Sequence, residues 1–177
     1  RSRNGSRRPL GLRSAGCSTG EEARSLAMVA DEVARGAPEG AFAVWGTDLN
    51  ATSVRRVRSG CHPPARLALD AARCAWYLER EAPPGQRRFA APLRSRVAFA
   101  RANLLDVPPP ELDDLDLILC QNVLIYFRRW RRRELLARLA GRLAPGGVLL
   151  VGPGDVADRV PSGCELARTG DLLAFIR

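Results

Sequence analysis

The stretch GCSTGEEARSLAM, residues 16–28, determines how the neighbouring sequence is interpreted. Two glycines bracket a Cys-Ser-Thr segment, two acidic residues follow, and apolar residues then recur at helical spacing as far as Val33. The apolar run LGLRSA, residues 10–15, precedes this stretch and has the character of a short strand weakened by Gly11. Together the segments predict a strand, a glycine-rich turn and a helix that begins with acidic residues.

The rest of the chain alternates between strand-like and helix-like segments. The strand-like runs are AFAVWGTD, RVAFAR, LDLILCQN and VLLVG, and the helical ones include NATSVRRV and RRRELLARLAGRL. This alternation predicts an α/β fold with a doubly wound, mostly parallel, Rossmann-like sheet. The C-terminal segment CELARTGDLLAFIR adds two strand-like runs around Thr169 and Gly170, which predicts an antiparallel hairpin.

The same alternation indicates the domain boundaries. Residues 14–177 form the predicted domain, and the basic residues 1–13 are expected to be a flexible leader or the truncated edge of a longer protein. Residues 61–95 interrupt the alternation and predict a small insertion. Within it, ARLALDAARCAWYLERE predicts an amphipathic helix, and the Pro- and Gly-containing segment that follows predicts a small hairpin.

Composition and charge narrow the class of protein. The 177 residues are 46% hydrophobic and 27% charged, as in a globular domain, and no apolar run approaches the ~20 residues of a membrane span. All 28 basic residues are Arg, so coding bias explains much of the formal net charge of +9, which also permits an acidic partner. Five dispersed cysteines favour reduced thiols in a cytoplasmic protein over disulfides or a metal site. The single histidine, His62, lies beside two prolines, which argues against His-based catalysis.

Polar residues follow the strand-like runs at four places. In an open α/β sheet, ligands bind beyond the carboxyl ends of the strands, at the point where the strand order reverses. That rule selects residues 16–22, 47–50, 103–106 and 121–127. Because all four segments carry polar residues where an apolar run ends, the sequence predicts one ligand site built from these loops.

The glycine-rich turn at Gly16 would let the backbone approach a ligand closely. The turn matches neither of the phosphate-binding patterns GxxxxGK[ST] and GxGxxG. Glu21 and Glu22 would repel a pyrophosphate and attract a positively charged ligand, such as an amine or a sulfonium. The alternative is that both acids only complement the helix dipole, and the residues alone leave the two explanations open.

Asp48 ends a strand-like run in the segment WGTDLN. A carboxylate at this position can accept both hydrogen bonds of a ribose diol. The alternative is a helix N-cap, a role for which Asn50 and Thr52 also compete. Because two other capping residues are close by, we interpret Asp48 as a ribose ligand.

The segment CQNVLIYF contains polar residues that core packing does not explain. Asn122 and Tyr126 interrupt an otherwise apolar stretch, where polar groups cost free energy unless they are paired. The run RRWRRR, residues 128–133, follows directly. It predicts either a solvent-exposed helix start or a docking surface for an acidic protein.

Taken together, several motifs resemble the CheR-type chemoreceptor glutamate methyltransferases. In chain order they are SAGCSTGEEARSLAM, GTDLN, VRSGCHP, NLLD, LDLILCQNVLIYF and RLAPGGVLLVG, and the similarity extends over residues 14–177. The resemblance implies a class I methyltransferase fold with the cofactor S-adenosyl-L-methionine (SAM) and the product S-adenosyl-L-homocysteine. It also implies methylation of glutamate side chains on the cytoplasmic helices of chemotaxis receptors. In the family, the region that corresponds to residues 61–95 forms a small subdomain that contacts the receptor.

The resemblance implies roles for residues near the start of the domain. The turn at Gly16 would hold the cationic nucleoside. Glu22 would contact the methionyl end of the cofactor, and Asp48 would contact its ribose.

Residues from the later loops would complete the pocket that the resemblance implies. Asn103 and Leu104 would border the adenine. Gln121 and Asn122 would face the methionine part of the cofactor. Tyr126 would lie near the transferred methyl group and is the catalytic candidate.

Two departures from the family pattern bear on activity. Family members carry an N-terminal helical domain with a Thr-x-Phe-Phe-Arg segment, to which nothing in residues 1–13 corresponds. Gln121 stands where the family usually has Arg, which removes a fixed positive charge. We therefore expect a fragment of a longer methyltransferase or a diverged copy. The alternatives are a catalytically impaired SAM-binding or protein-interaction module and a nucleic-acid methyltransferase, whose Asn-Pro-Pro-Tyr signature residues 121–124 lack.

Overall fold

Strands and helices alternate along the chain in the structure, a computed structural model that describes residues 8–35, 41–63, 75–79, 82–106, 112–155, 159–169 and 172–177. The strands are β1 (Leu10–Ala15), β2 (Phe42–Asp48), β3 (Cys61–His62), β4 (Arg87–Arg88), β5 (Val97–Arg101), β6 (Leu115–Cys120), β7 (Leu143–Val151), β8 (Glu165–Thr169) and β9 (Leu172–Ile176). The α-helices are α1 (Glu21–Val33), α2 (Ala51–Arg58), α3 (Ala91–Arg94) and α4 (Arg129–Ala140). Short 3-10 helices cover Leu124–Tyr126 and Pro153–Asp155.

The main sheet joins its strands in the order β5-β2-β1-β6-β7-β9-β8. The pairs β5–β2, β2–β1, β1–β6 and β6–β7 are parallel, whereas β9 pairs antiparallel with both β7 and β8. Chain order runs outward from β1 in both directions, so the strand order reverses between β1 and β6. The predicted doubly wound, mostly parallel sheet with a C-terminal antiparallel strand pair is therefore confirmed.

Side-chain alternation along β1 separates the two faces of this sheet. Leu12 packs with α1 and α2 in one hydrophobic core, whereas Ala15 packs with α4 in the other. Arg13 shares the α4 face with Ala15, is only 3% exposed, and lies in register with Trp45 of β2 and Ile118 of β6. The apolar burial on both faces stabilises the sheet and leaves its carboxyl edge to the loops.

Two elements differ from the sequence-based expectation. β1 has weak strand propensity, yet it lies at the centre of the sheet, because pairing on both sides outweighs intrinsic preference. β7 begins at Leu143, well before the predicted run VLLVG, because Leu143 already pairs with Leu115. The register then shifts, and Leu117 pairs with Val148.

The insertion at residues 61–95 contains a second, two-stranded antiparallel sheet of β3 and β4. Leu78 forms an antiparallel bridge with Phe89, and Tyr77 O accepts a hydrogen bond from Ala90 N at 2.8 Å. The predicted helix over residues 65–81 is therefore wrong at its C-terminal end, where strand pairing replaces it. Its remaining positions, 65–74 and 80–81, lie outside the described residues, as do the predicted helix stop at residue 36 and the hairpin turn at residue 170. In the described part of the chain, no helix has the length and apolar character needed to span a membrane.

Candidate functional site

Gly16 brings the loop after β1 against the loop after β6. Its φ is +85°, and a Cβ at this position would lie 2.2 Å from Cγ2 of Val123. Only glycine tolerates both this backbone conformation and this close approach. The packing therefore joins residues 16–22 to residues 121–127, two of the four predicted loop segments.

Glu22 is fixed at the carboxyl end of β1 although it belongs to the first turn of α1. Ser14 Oγ donates a hydrogen bond to Glu22 Oε1 at 2.5 Å. Burial raises the pKa of Glu22, the hydrogen bond from Ser14 opposes the increase, and the negative charge of Asp155 adds to it. The adjacent Glu21 accepts a hydrogen bond from Thr19 Oγ1 at 2.6 Å. The two acids therefore have different surroundings, and Glu22 is the one held against the sheet edge.

Asp48 connects the loops that follow β1 and β2. Its Oδ2 accepts a hydrogen bond from Ser18 N at 2.7 Å, and its Oδ1 accepts one from Asn50 N at 2.8 Å. Asn50, not Asp48, is the N-cap of α2, because Asn50 Oδ1 accepts hydrogen bonds from Thr52 N and Ser53 N. Each carboxylate oxygen of Asp48 has a second lone pair, so the group can still accept hydrogen bonds from hydroxyls.

A buried carboxylate, Asp155, shapes the loop after β6. Asp155 is fully buried, and its Oδ2 and Oδ1 accept hydrogen bonds from the backbone nitrogens of Asn122 at 2.5 Å and Ile125 at 3.0 Å. Asn122 adopts a φ of +58°, a left-handed conformation that asparagine tolerates better than most residues. No sequence pattern selected Asp155 as a site residue. It lies in the short segment that follows the apolar run of β7.

Arg132 holds the other side of the same loop. Its guanidinium donates to the carbonyl oxygens of Phe127, Ile125 and Gly154 at 2.9–3.1 Å. The run 128–133 is therefore not uniformly solvent-exposed, because one of its arginines serves as an internal anchor. Tyr126, between these contacts, is 82% exposed at the rim of the site.

The loop after β5 is positioned by α4. Asn103 Oδ1 accepts a hydrogen bond from Leu105 N at 3.1 Å, and Arg138 donates to the carbonyl oxygens of Leu105 and Asp106. Leu104 packs against the core on the α4 face. Asn103 and Leu104 also line a cavity of about 470 Å³ on that face.

Contacts place the predicted residues at one edge of the sheet. The loop of Gly16 touches that of Asn122, Ser18 binds Asp48, and Ala102 N donates to Asp48 O at 3.0 Å. Burial raises the pKa of Cys17 to about 12, and the carboxylates of Asp48 and Glu22 add to the increase. Two carboxyl groups, those of Glu22 and Asp48, therefore lie near Cys17 at this edge, an arrangement that favours a cationic ligand.

The polar groups at this edge suit a ligand that carries a positive charge and hydroxyl groups. Glu22 and Asp48 offer carboxylates to a positive charge and to a diol, and exposed Asn122 offers an amide. Among the described residues, no cluster of three or more His, Cys, Asp or Glu side chains could hold a metal ion.

Solved structures with the same fold are methyltransferases. A putative O-methyltransferase from Nostoc punctiforme superposes with a TM-score of 0.58 at 12% identity, over 97% of this chain and 53% of that chain. The magnesium protoporphyrin IX methyltransferase of Synechocystis, solved with bound SAM, has a TM-score of 0.54 at 17% identity, over 96% of this chain and 70% of that chain. At these identities the similarity shows the fold alone, that of the class I SAM-dependent methyltransferases.

Sequence comparison identifies the family. The model of the CheR methyltransferase SAM-binding domain matches residues 1–168. Chemotaxis protein methyltransferase 1 of Pseudomonas aeruginosa is 32% identical over 170 residues, which are 93% of this chain and 61% of that protein. The chemotaxis protein methyltransferase of Escherichia coli is 35% identical over 146 residues, 78% of this chain and 49% of that protein. The chain thus spans about half to three fifths of the length of these relatives, and it belongs to the CheR methyltransferase family as a SAM-binding domain.

Proposed function

We propose that this chain is the SAM-binding, catalytic part of an enzyme that methylates glutamate side chains of chemotaxis receptors. The observation that supports this most strongly is the convergence of Glu22, Asp48 and the loop 121–126 where the strand order reverses. Relatives named chemotaxis protein methyltransferases supply the reaction class. The acidic edge is the chemical counterpart of a positively charged methyl donor.

The first loops would bind the charged and sugar parts of the cofactor. Glu22 would face the methionyl end, held in place by Ser14, beside the turn at Gly16. Asp48 would accept the ribose hydroxyls while it keeps its hydrogen bonds from the amides of Ser18 and Asn50.

The later loops would complete the cofactor pocket. Asn103 and Leu104 would border the adenine, a role consistent with their position after β5. Gln121 and Asn122 would face the methionine part, in a loop that Asp155 holds by two backbone hydrogen bonds.

The reaction demands little acid–base chemistry. Bound SAM supplies a methyl group activated by a positively charged sulfur. A receptor glutamate is ionised near neutral pH, so its oxygen would accept the methyl group as the carbon–sulfur bond breaks, and no proton would be transferred. The protein would align the two groups and remove water from the carboxylate. Tyr126 at the exposed rim would cover the reacting atoms.

The protein partner would be the cytoplasmic helices of chemoreceptors, in the cytoplasm. The methyltransferase domain would be residues 14–177 together with Leu10–Arg13, the start of β1, and residues 61–95 would be a receptor-contact subdomain. Arg128, Arg129 and Arg133, all exposed, would face acidic residues of the receptor.

One observation favours a second candidate, a SAM-binding module without catalysis. Gln121 cannot supply the fixed positive charge that the family usually has at this position. Such a module would bind the cofactor and a protein partner without methyl transfer.

Calorimetry with S-adenosylhomocysteine tests the cofactor site. We expect binding to the unmodified chain, binding at least about tenfold weaker for Asp48→Asn because the diol loses a charged acceptor, and unchanged binding for Glu165→Gln, an exposed acid on β8. Equal binding by all three proteins would refute the proposed ribose site.

Transfer of a radiolabelled methyl group to receptor fragments separates the two candidates. The test applies to this chain and to a longer protein of the relatives' length. Transfer to glutamate by either protein supports the enzyme. Cofactor binding without transfer by either protein supports the non-catalytic module.

A further inference from the structure

The cavity on the α4 face extends well beyond the acidic edge at which the cofactor would bind. It begins at Asn103 and Leu104 and continues between the sheet and α4 to Gly141 and Arg142, near the start of β7. Leu135 and Leu139 of α4 supply an apolar wall. The charged lining is mostly basic and comprises Arg13, Arg101, Arg138, Arg142 and Asp106.

Arg13 carries the most constrained charge in this cavity. Its side chain is 3% exposed, and its only hydrogen bonds in the described part of the structure run from Nε and Nη2 to the hydroxyl of Thr47, at 3.3 and 3.2 Å. No carboxylate of a described residue forms an ion pair with it, although a buried charge without a counterion is costly. Burial lowers the pKa of Arg13; Cys120 opposes this, and the nearby positive charge of Arg142 adds to it. An anion in the cavity would offset these costs.

The other arginines of the cavity differ in the hydrogen bonds and ion pairs that their guanidinium groups form. Arg138 donates to two backbone carbonyls and Arg142 pairs with Asp113, so both are anchored. Arg101 is exposed and donates through Nε to the carbonyl of Leu49 at 3.2 Å. Arg13 and Arg101 therefore leave guanidinium nitrogens without a carboxylate among the residues that the structure describes.

We propose that this arginine cavity binds an organic phosphate of nucleotide size. Guanidinium groups match phosphate oxygens in charge and in planar, bidentate geometry. A volume of about 470 Å³ exceeds what one phosphate needs and lies in the range of small-molecule sites. The apolar wall of Leu135 and Leu139 on α4 suits a base or another nonpolar group attached to the phosphate. The cavity meets the acidic edge at Arg101, which is in register with Asp48, and at Asn103 and Leu104, and it extends from there to Arg13 and Arg142.

Calorimetry of the unmodified chain tests the proposal with adenosine and uridine 5′-monophosphates, each compared with its own nucleoside and with inorganic phosphate. We expect at least one nucleotide to bind, its nucleoside to bind at least about tenfold more weakly, and phosphate alone to bind more weakly than the nucleotide. Equal binding of nucleotide and nucleoside, or of nucleotide and phosphate, overturns the proposal. Failure of both nucleotides overturns it too, as does binding of an acidic peptide such as hexaglutamate in their place.

Variants of the cavity locate the binding site. Arg13→Met and the exposed Arg101→Gln should each weaken nucleotide binding about tenfold, whereas Arg56→Gln on α2 should leave it unchanged. Thermal melting checks that each variant is folded, and Arg101→Gln tests the site even if Arg13→Met does not fold. Nucleotide binding that a folded Arg13→Met variant leaves intact overturns the inference, and displacement of the nucleotide by S-adenosylhomocysteine then assigns it to the acidic edge. If Arg13→Met does not fold, nucleotide binding that Arg101→Gln leaves intact overturns the inference. The result does not depend on methyl transfer, so failure of the proposed function leaves it testable.

Discussion

At the residue scale, burial of the Glu22 carboxylate lowers the stability of the ligand-free protein, although the proposed role of Glu22 depends on the same carboxylate. Burial of its carboxyl group, the largest influence, disfavours the ionised form and raises its pKa. The same ionised form is what a cationic ligand would require. Residues with such conflicts are frequent at functional sites, where binding offsets a cost to the ligand-free fold.

Glu22→Gln should therefore stabilise the ligand-free protein at neutral pH and weaken S-adenosylhomocysteine binding. Because the native state of the unmodified protein holds its proton to higher pH than the unfolded state, its stability should fall as pH rises from about 4.5 through the raised pKa of Glu22. The variant should lack this contribution. Urea denaturation at several pH values from 4.5 to 7.5 measures the difference, and identical pH profiles for the two proteins would contradict the prediction.

The structure decides one of the residue-scale alternatives that the sequence left open, the N-cap of α2. Asn50, and not Asp48, is the N-cap, because its side chain accepts hydrogen bonds from the backbone amides of Thr52 and Ser53. Asp155 and Arg132 were not recognised, since their partners lie elsewhere in the chain. A carboxylate bound to an amide 33 residues away leaves no pattern in its own neighbourhood.

At the element scale, the loops of the site depend on one another's shape. Gly16 permits contact between the loops after β1 and β6, while Asp155 and Arg132 fix the second of these loops from two sides. Loss of one of these contacts should therefore change the conformation of loop residues that take no part in that contact.

Gly16→Ala should destabilise the fold and abolish cofactor binding, because its Cβ would collide with Val123 at a backbone conformation that already costs about 1 kcal/mol for alanine. The matched control is Gly85→Ala, which has a similar φ of +71° but nothing within 4 Å of the added Cβ. We expect the control to lose about 1 kcal/mol of unfolding free energy and to keep cofactor binding. Equal losses in urea denaturation would show that the contact with Val123 is unimportant.

Arg132→Ala should loosen residues 125–127 without unfolding the domain. The substitution removes donors to the carbonyls of Phe127, Ile125 and Gly154, each worth about 1 kcal/mol. Hydrogen exchange should show faster exchange at the amides of residues 125–127, with β1 and β6 unchanged. Arg128→Ala, an exposed neighbour, is the control and should leave exchange as it is.

At the scale of the whole molecule, charge is distributed unevenly. The acidic edge would face the proposed cofactor, whereas exposed arginines lie on α4 and buried or half-buried arginines line most of the α4-face cavity. The formal net charge of +9 is therefore the sum of an acidic region and basic regions, and coding bias does not explain this uneven distribution.

Reversal of charge at Arg128 and Arg133 should weaken receptor binding at low salt by about tenfold and reduce its dependence on salt. The same reversal at Arg55 and Arg56 of α2 is the matched control and should change affinity much less. Titration of receptor fragments at two salt concentrations makes the comparison. Equal effects of the two double variants would indicate a response to net charge and not to a docking surface.

The sequence by itself determined the alternation of strands and helices, the polar ends of the strands and the family. These features depend on residues close together in the chain, through side-chain periodicity and short motifs. Only the tertiary structure decided that Arg13 is buried beside a cavity, that Asp155 shapes the loop of Asn122, and that residues 77–79 pair with residues 88–90. The physical reason is that burial and pairing depend on contacts between distant segments, such as the 34 residues that separate Arg13 from Thr47.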